Sequence, residues 1–215
     1  MDITWYGHSC FRLKGTETAL VTDPVGPESG YQVGRLAADI VTVSHDHPGH
    51  NNLTAVAGAR KVLQGPGEYE VANVLVTGVA TFHDGERGAK LGRNTIFLIE
   101  IDGVRLCHLG DLGHLPRGEQ LTELTNVDVL LAPVGGGTTI GATTAVEVIN
   151  LLGPKMVVPM HYRTPASPRP DLEGLERFLQ EMGLATPEPQ PRLTVTRQGL
   201  PKEKEARVVV LQYQR

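Results

Sequence analysis

VSHDHPGHNN, running from Val43 to Asn52, decides how the rest of the chain reads. It holds three of the chain's 8 histidines, at His45, His47 and His50. The run just before it, Ile40-Val41-Thr42-Val43, is apolar and β-branched, as in a buried strand. If the chain stays extended beyond that strand, alternate side chains share a face, so His45 and His47 project together and Asp46 points away. Pro48-Gly49 then breaks the extension, and the turn returns His50 to the same spot. Imidazoles converging at a strand end supply donors for a zinc-like ion at roughly 2.0–2.1 Å per nitrogen.

Working outward, the same event recurs. Thr81-Phe82-His83-Asp84 follows a strand-like stretch between Glu70 and Ala80 that is split near Asn73. Thr95–Ile101 and Val104–His108, joined by Asp102-Gly103, read as a hairpin that runs into Leu109-Gly110-Asp111. Met156 to Pro159 reads as a strand followed at once by His161. Each time a titratable residue sits just past an apolar strand, which places His45, His83, Asp111 and His161 along one rim of the sheets.

Upstream, Asp2 to Lys14 reads as a hairpin whose turn, Gly7-His8-Ser9, either is an ordinary turn or carries His8 into a pocket. Thr18 to Thr22 is a further strand ending at Asp23-Pro24, and Val25 to Gly34 is a Gly- and Pro-rich loop. Downstream, a short helix is expected at Asn51–Ala59 and a helical turn at Leu121–Asn126. A longer helix is expected at Thr144–Leu152, with Thr144 and Glu147 as a capping box and Gly153 as its stop. A further helix, Asp171–Met182, takes Asp171 as its cap, and strands at Leu193–Thr196 and Arg207–Tyr213 close the chain. His108, inside a strand, is expected to be a core residue or one that packs behind the site. His114 is a loop residue or a group that contacts substrate or moves a proton.

Composition bounds the function classes. A chain of 215 residues with 40% hydrophobic and 20% charged residues forms a substantial core, and no repeat or linker divides it, so residues 1–215 read as one domain. A net charge of −4 and no Lys/Arg stripe argue against a dedicated nucleic-acid binder. The N-terminus has no basic start followed by an apolar core, so no signal peptide is expected, and no apolar run of about 18 residues predicts a membrane span. Cys10 and Cys107, far apart, are expected to be buried reduced thiols. A cytoplasmic protein, as monomer or oligomer, is the expectation.

WYGHSCFRL, HDHPGH, the His-Asp pair at His83, LGDLGH and VPMHY together resemble the metallo-β-lactamase superfamily. The likeness covers nearly the whole chain, and is strongest to the branch of small hydrolases that includes ascorbate-6-phosphate lactonase-like proteins. It implies an α/β (α+β) fold, a four-layered αβ/βα sandwich with a metal centre at one edge. It further implies a first metal held by His45, His47 and His83, a bridging Asp111, and a second metal held by His50, His161 and Asp111. One departure matters: the family's motif carboxylate falls on Gly49, which has no side chain. Two divalent ions bring +4, and with Asp111 and a hydroxide the centre keeps about +2 where the family motif would leave about +1. The expectation is a well-occupied first site and a weak or empty second one.

The leading reading is a metal-dependent hydrolase that directs a metal-bound hydroxide at a small ester, lactone or phosphoester. Zinc suits the imidazole-rich set, with manganese or iron as alternatives. Catalytic candidates are Asp111, His8 and His114, and backbone N–H groups of the glycines at 135–137, chiefly Gly136 and Gly137, are candidates for binding an anionic substrate. Two other readings stand beside it: a nucleic-acid phosphodiesterase, and a metal-binding protein left without efficient chemistry by Gly49.

Overall fold

The computed structural model describes every residue except Pro168, Lys204 and Arg215. The first strands are β1 (Asp2–Trp5), β2 (Phe11–Lys14), β3 (Ala19–Thr22), β4 (Leu36–Ala37), β5 (Ile40–Val43), β6 (Val56–Ala57) and β7 (Lys61–Gln64). Then follow β8 (Gly67–Val71), β9 (Val74–Phe82), β10 (Arg93–Ile101) and β11 (Val104–His108). Helices α1 (Glu119–Glu123), α2 (Ala142–Leu152) and α3 (Leu175–Glu181) alternate with β12 (Val129–Pro133) and β13 (Met156–Met160), before β14 (Leu193–Thr194) and β15 (Arg207–Val208).

Two sheets pack face to face. One is six-stranded in the order β14-β1-β2-β3-β5-β7, the other seven-stranded in the order β15-β13-β12-β11-β10-β9-β8. Alternation explains the packing: Leu20 of β3 points into the shared core with Ile3, Trp5, Phe11, Leu13 and Phe97, while its neighbours Ala19 and Val21 face outward. That outer face is covered by the segment carrying Val25, Tyr31, Leu36 and Ala38, not by an α-helix. The helices serve the other sheet, with α1 against β9 and α2 against β12 and α3. This is the α/β sandwich that the resemblance implies, with the outer layer over the six-stranded sheet reduced to loop.

Turn chemistry fixes the hairpins. Asp102 (φ +52°) and Gly103 (φ +72°) both adopt left-handed backbone, as a two-residue turn between right-twisted strands requires, and Ala72 and Asn73 do the same between β8 and β9. Three expected helix features are corrected. Asn51–Ala59 forms a 3-10 turn at Leu53–Ala55 and then strand β6, because Val56 and Ala57 pair with β4. The α2 helix starts at Ala142 with Gly141 as its N-cap and no side-chain cap, since Gly141 bridges Gly135 and fixes the start before Thr144. The α3 helix starts at Leu175, not Asp171, whose carboxylate is taken by Arg169 at 2.6 Å.

The arrangement sends the ends of β3, β5, β9, β11 and β13 and the β1–β2 turn to one edge of the sandwich. Each of these ends carries a polar residue that is buried there: Asp23, His50, His83, Asp111, His161 and His8.

Candidate metal centre

Asp111 is the hub. It is 3% exposed, and its Oδ2 lies 3.2 Å from His50 Nε2, 3.2 Å from His83 Nε2, 3.4 Å from His161 Nε2 and 4.0 Å from His45 Nε2. Ser9 Oγ donates to its other oxygen at 3.4 Å, and its backbone N–H donates to Asn94 Oδ1 at 2.9 Å.

The far nitrogens of these rings settle what the near ones present. His50 Nδ1 meets Asp23 Oδ2 at 2.9 Å and His83 Nδ1 meets the carbonyl of Thr138 at 3.0 Å. Both partners are acceptors, so both Nδ1 atoms carry the proton. In the neutral ring each Nε2 turns a lone pair toward a carboxylate oxygen, an arrangement that needs a cation between them, a proton in the metal-free protein or a metal ion in its place. Among the described residues the buried Nε2 atoms of His50 and His161 have no hydrogen-bond partner, although both are within 3.4 Å of Asp111. Donors that are close yet misaligned, converging on a carboxylate, fit a divalent ion between them.

Ligand atoms gather in three groups whose members lie within 4.8 Å of one another: His8, His50, Asp111 and His161; His45, His47 and His50; His45, His83 and Asp111. His45 thus meets both His47 and His83, but no group among the described residues unites those last two. His47 is exposed, and its Nδ1 accepts from Gly49 N–H at 3.2 Å. That bond leaves the proton on Nε2, so ligation through Nε2 requires the ring to release it. Asp46 is exposed and bonds the Asn51 amide, facing away from the centre.

The charges answer one another. Burial pushes Asp111 up, but His161 and His50 outweigh it and hold the carboxyl well below its ordinary value. Burial likewise pushes His50 down, and Asp111 and Asp23 together outweigh that and raise it to about 10. His45 drops to about 4, through burial and then the nearby His50. His8 is pushed well down by burial, His161 and His50.

Four residues that orient this centre are not singled out as such by the sequence. Asp23 is fully buried and also takes Ser44 N–H at 2.7 Å and Ser44 Oγ–H at 2.6 Å. Ser44 Oγ lies 3.0 Å from His45 Nδ1, while Thr138 and Asn94 hold His83 and Asp111 as above. The signal for Asp23 is its place, since it too directly follows an apolar strand.

Two expectations are corrected. His114 has no ring nitrogen left for proton transfer: Nε2 accepts from Phe82 N–H at 3.2 Å and Nδ1 meets the Leu115 carbonyl at 2.9 Å. Its ring packs on Phe82 and stays outside the groups around Asp111. Gly136 gives its N–H to Ile140 O at 3.3 Å, so that donor is spent within the loop. Gly136 (φ +68°) and Gly137 (φ +69°) supply left-handed backbone to a loop whose carbonyl at Thr138 orients His83. His108 lies buried behind the site, its Nε2 donating to Ser9 O at 2.9 Å. Both cysteines are free and buried, and burial raises the Cys10 thiol to about 12.

Comparison with known proteins places the chain in a family. Residues 2–161 match the family described as the Beta-lactamase superfamily domain. A UPF0173 metal-dependent hydrolase of Methanoculleus marisnigri is 33% identical over 205 residues, covering 84% of this chain and 89% of the relative. Its counterpart in Methanoregula boonei is 30% identical over 203 residues, covering 84% and 90%. A Thermotoga maritima structure, named as a candidate Zn-dependent hydrolase of the metallo-beta-lactamase superfamily, superposes with a TM-score of 0.79 at 37% identity, covering 98% of this chain and 99% of the other. None of these names specifies a lactonase. The chain is therefore a member of the metal-dependent hydrolases of the metallo-beta-lactamase superfamily.

Proposed function

We propose that this hydrolase acts on small esters, lactones or phosphoesters at a two-ion centre, with Asp111 shared between His45, His47 and His83 on one side and His50 and His161 on the other. The observation that carries it is the single Asp111 oxygen with three imidazole Nε2 atoms within 3.4 Å. A divalent ion supplies Lewis acidity and lowers the pKa of water from about 15.7 toward roughly 7. Zinc is the ion we assign, because imidazoles dominate the donor set; manganese or iron is the second choice.

The chain's own residues do the positioning. Asp23 and Thr138 fix the tautomers of His50 and His83, so that Nε2 is the donor in both. Ser9 occupies Asp111 Oδ1 and leaves Oδ2 to the centre. His47 joins the first set once its ring gives up Gly49 N–H. Beside His45 opens a cleft of about 440 Å³, lined also by Gln64, Pro66, Leu91 and Arg93, which suits a small substrate with an apolar part and an anionic group. The net charge of −4 weighs against nucleic acid as substrate. The free buried thiols are consistent with a reducing, cytoplasmic setting, and no described helix is long and apolar enough to cross a membrane.

The test is elemental analysis of protein purified without added metal, joined to a screen of esters, lactones and phosphodiesters before and after chelation. Hydrolysis that stops on chelation and returns with zinc is expected, as is loss of metal and activity together in His83→Ala. Activity that survives complete metal removal overturns the reading.

A further inference from the structure

Gly49 and His8 stand at opposite ends of the N-terminal half of the site, yet they meet there. A Cβ built on Gly49 would lie 3.5 Å from His8 Nε2. The His8 imidazole thus borders the space into which a side chain at position 49 would project. Gly49 itself is buried and its φ is not left-handed, so the glycine is not demanded by the backbone.

His8 has no evident structural duty for its ring. The residue is 7% exposed, and among the described residues neither ring nitrogen has a hydrogen-bond partner. Its backbone does the anchoring: the carbonyl accepts from Trp5 Nε1 at 3.0 Å and from His161 N–H at 3.3 Å. The second of these ties the β1–β2 turn to the end of β13 that carries His161. The ring then lies 4.1 Å from the His161 ring and 4.8 Å from the His50 ring, centre to centre. Neither ring nitrogen is sealed from solvent as His50 Nε2 is, so the ring is free to turn a lone pair toward an ion, and it lies against two ligand candidates. His8 is held in left-handed backbone (φ +51°), which a non-glycine residue adopts at some cost.

We infer that His8 takes the coordination place left open by Gly49, so that the second ion is held by His8, His50, His161 and Asp111. This rests on the two-ion reading above and sharpens it. The expectation of a weak second site follows from the missing carboxylate alone; with His8 counted, four ligand atoms lie within 4.8 Å of one another, the number a tetrahedral zinc site takes. Exchanging a carboxylate for a neutral imidazole also moves the site toward zinc and away from manganese or magnesium, which favour oxygen donors.

The probe is Zn²⁺ alone, added to metal-stripped protein and counted by elemental analysis and by competition with a chelating dye. The parent is expected to bind two equivalents. His8→Asn, chosen because asparagine tolerates the left-handed turn, is expected to weaken the second equivalent by at least about tenfold. The double variant His8→Asn/Gly49→Asp is expected to regain it. A second equivalent bound by His8→Asn as tightly as by the parent overturns the inference and leaves the two-ion centre standing. A parent that binds only one equivalent, or none, overturns both the inference and the two-ion reading. Should the variants not fold, a crystal structure of the zinc-loaded parent decides: His8 Nε2 at about 2.0–2.2 Å from the second ion supports the inference, and a ring farther than about 3 Å overturns it.

Discussion

Replacing Asp23 by Asn isolates the step that makes His50 a ligand. The substitution keeps the volume of a fully buried side chain and suits its φ of +37°, where asparagine is well tolerated. Three donors share the carboxylate: Ser44 N–H reaches Oδ1 at 2.7 Å, while Ser44 Oγ–H at 2.6 Å and His50 Nδ1–H at 2.9 Å reach Oδ2. An amide has one acceptor oxygen, so whichever way it turns, its NH₂ opposes at least one of them. If it opposes Ser44 N–H, a buried backbone donor loses its partner. If it opposes His50, the ring must move its proton to Nε2, which can then no longer bind a metal. One charge-assisted bond is lost in either case, at about 1.5–3 kcal/mol. For a chain of this size, at about 2–4 °C per kcal/mol, the metal-free Tm falls by about 3–12 °C. Removing such an orienting carboxylate costs about 10–100-fold in metal affinity, or about 1.4–2.8 kcal/mol. Scanning calorimetry of the metal-free protein and zinc titration against a competing dye measure the two effects. Zinc affinity and Tm both equal to the parent's would refute the role given to Asp23.

Asp128 gives a test far from the centre: it is 3% exposed and holds Lys155 Nζ at 2.7 Å, Arg197 at 3.1 Å and Arg105 N–H at 3.0 Å. Because Arg197 is largely exposed and Lys155 partly so, Asp128→Ala is expected to cost about 1–3 kcal/mol in urea unfolding, with zinc binding unchanged. Asp84 accepts N–H bonds from Leu91, Gly88, Glu86 and Lys90, which hold its carboxyl at about 2, below its ordinary 3.8. A folded value below the unfolded one means the contribution is present above 3.8 and lost as pH falls through about 2, so amide exchange in residues 85–92 should rise across that window. In the same loop Asp84→Ala should speed tryptic cleavage at the exposed Arg87 and Lys90. The buried thiols of Cys10, raised to about 12, and Cys107, also raised, should stay unreactive toward a thiol reagent at pH 8 until the protein is unfolded.

The sequence by itself determined the strands that lead into the site and what lies beyond them, while the closing strands, expected at Leu193–Thr196 and Arg207–Tyr213, pair only over Leu193–Thr194 and Arg207–Val208. Period-2 apolar runs broken by Asp102-Gly103 or Ala72-Asn73 are local signals, and so is a histidine or aspartate just past such a run. Helix starts were less legible, because Gly141 and Gly174 cap by backbone geometry that tertiary pairing imposes, while Thr144 and Asp171 look like caps and are not. Only the tertiary structure decided which polar residues share a centre. His8 and His114 read alike, as histidines in turns; one ring lies unpartnered against His50 and His161, and the other spends both nitrogens on backbone. At Gly49 the sequence shows a missing carboxylate, and only the fold shows that His8 borders the same space. The physical reason is that a metal centre is a set of distances between atoms remote in the chain, and those distances are fixed by sheet packing, not by spacing along it.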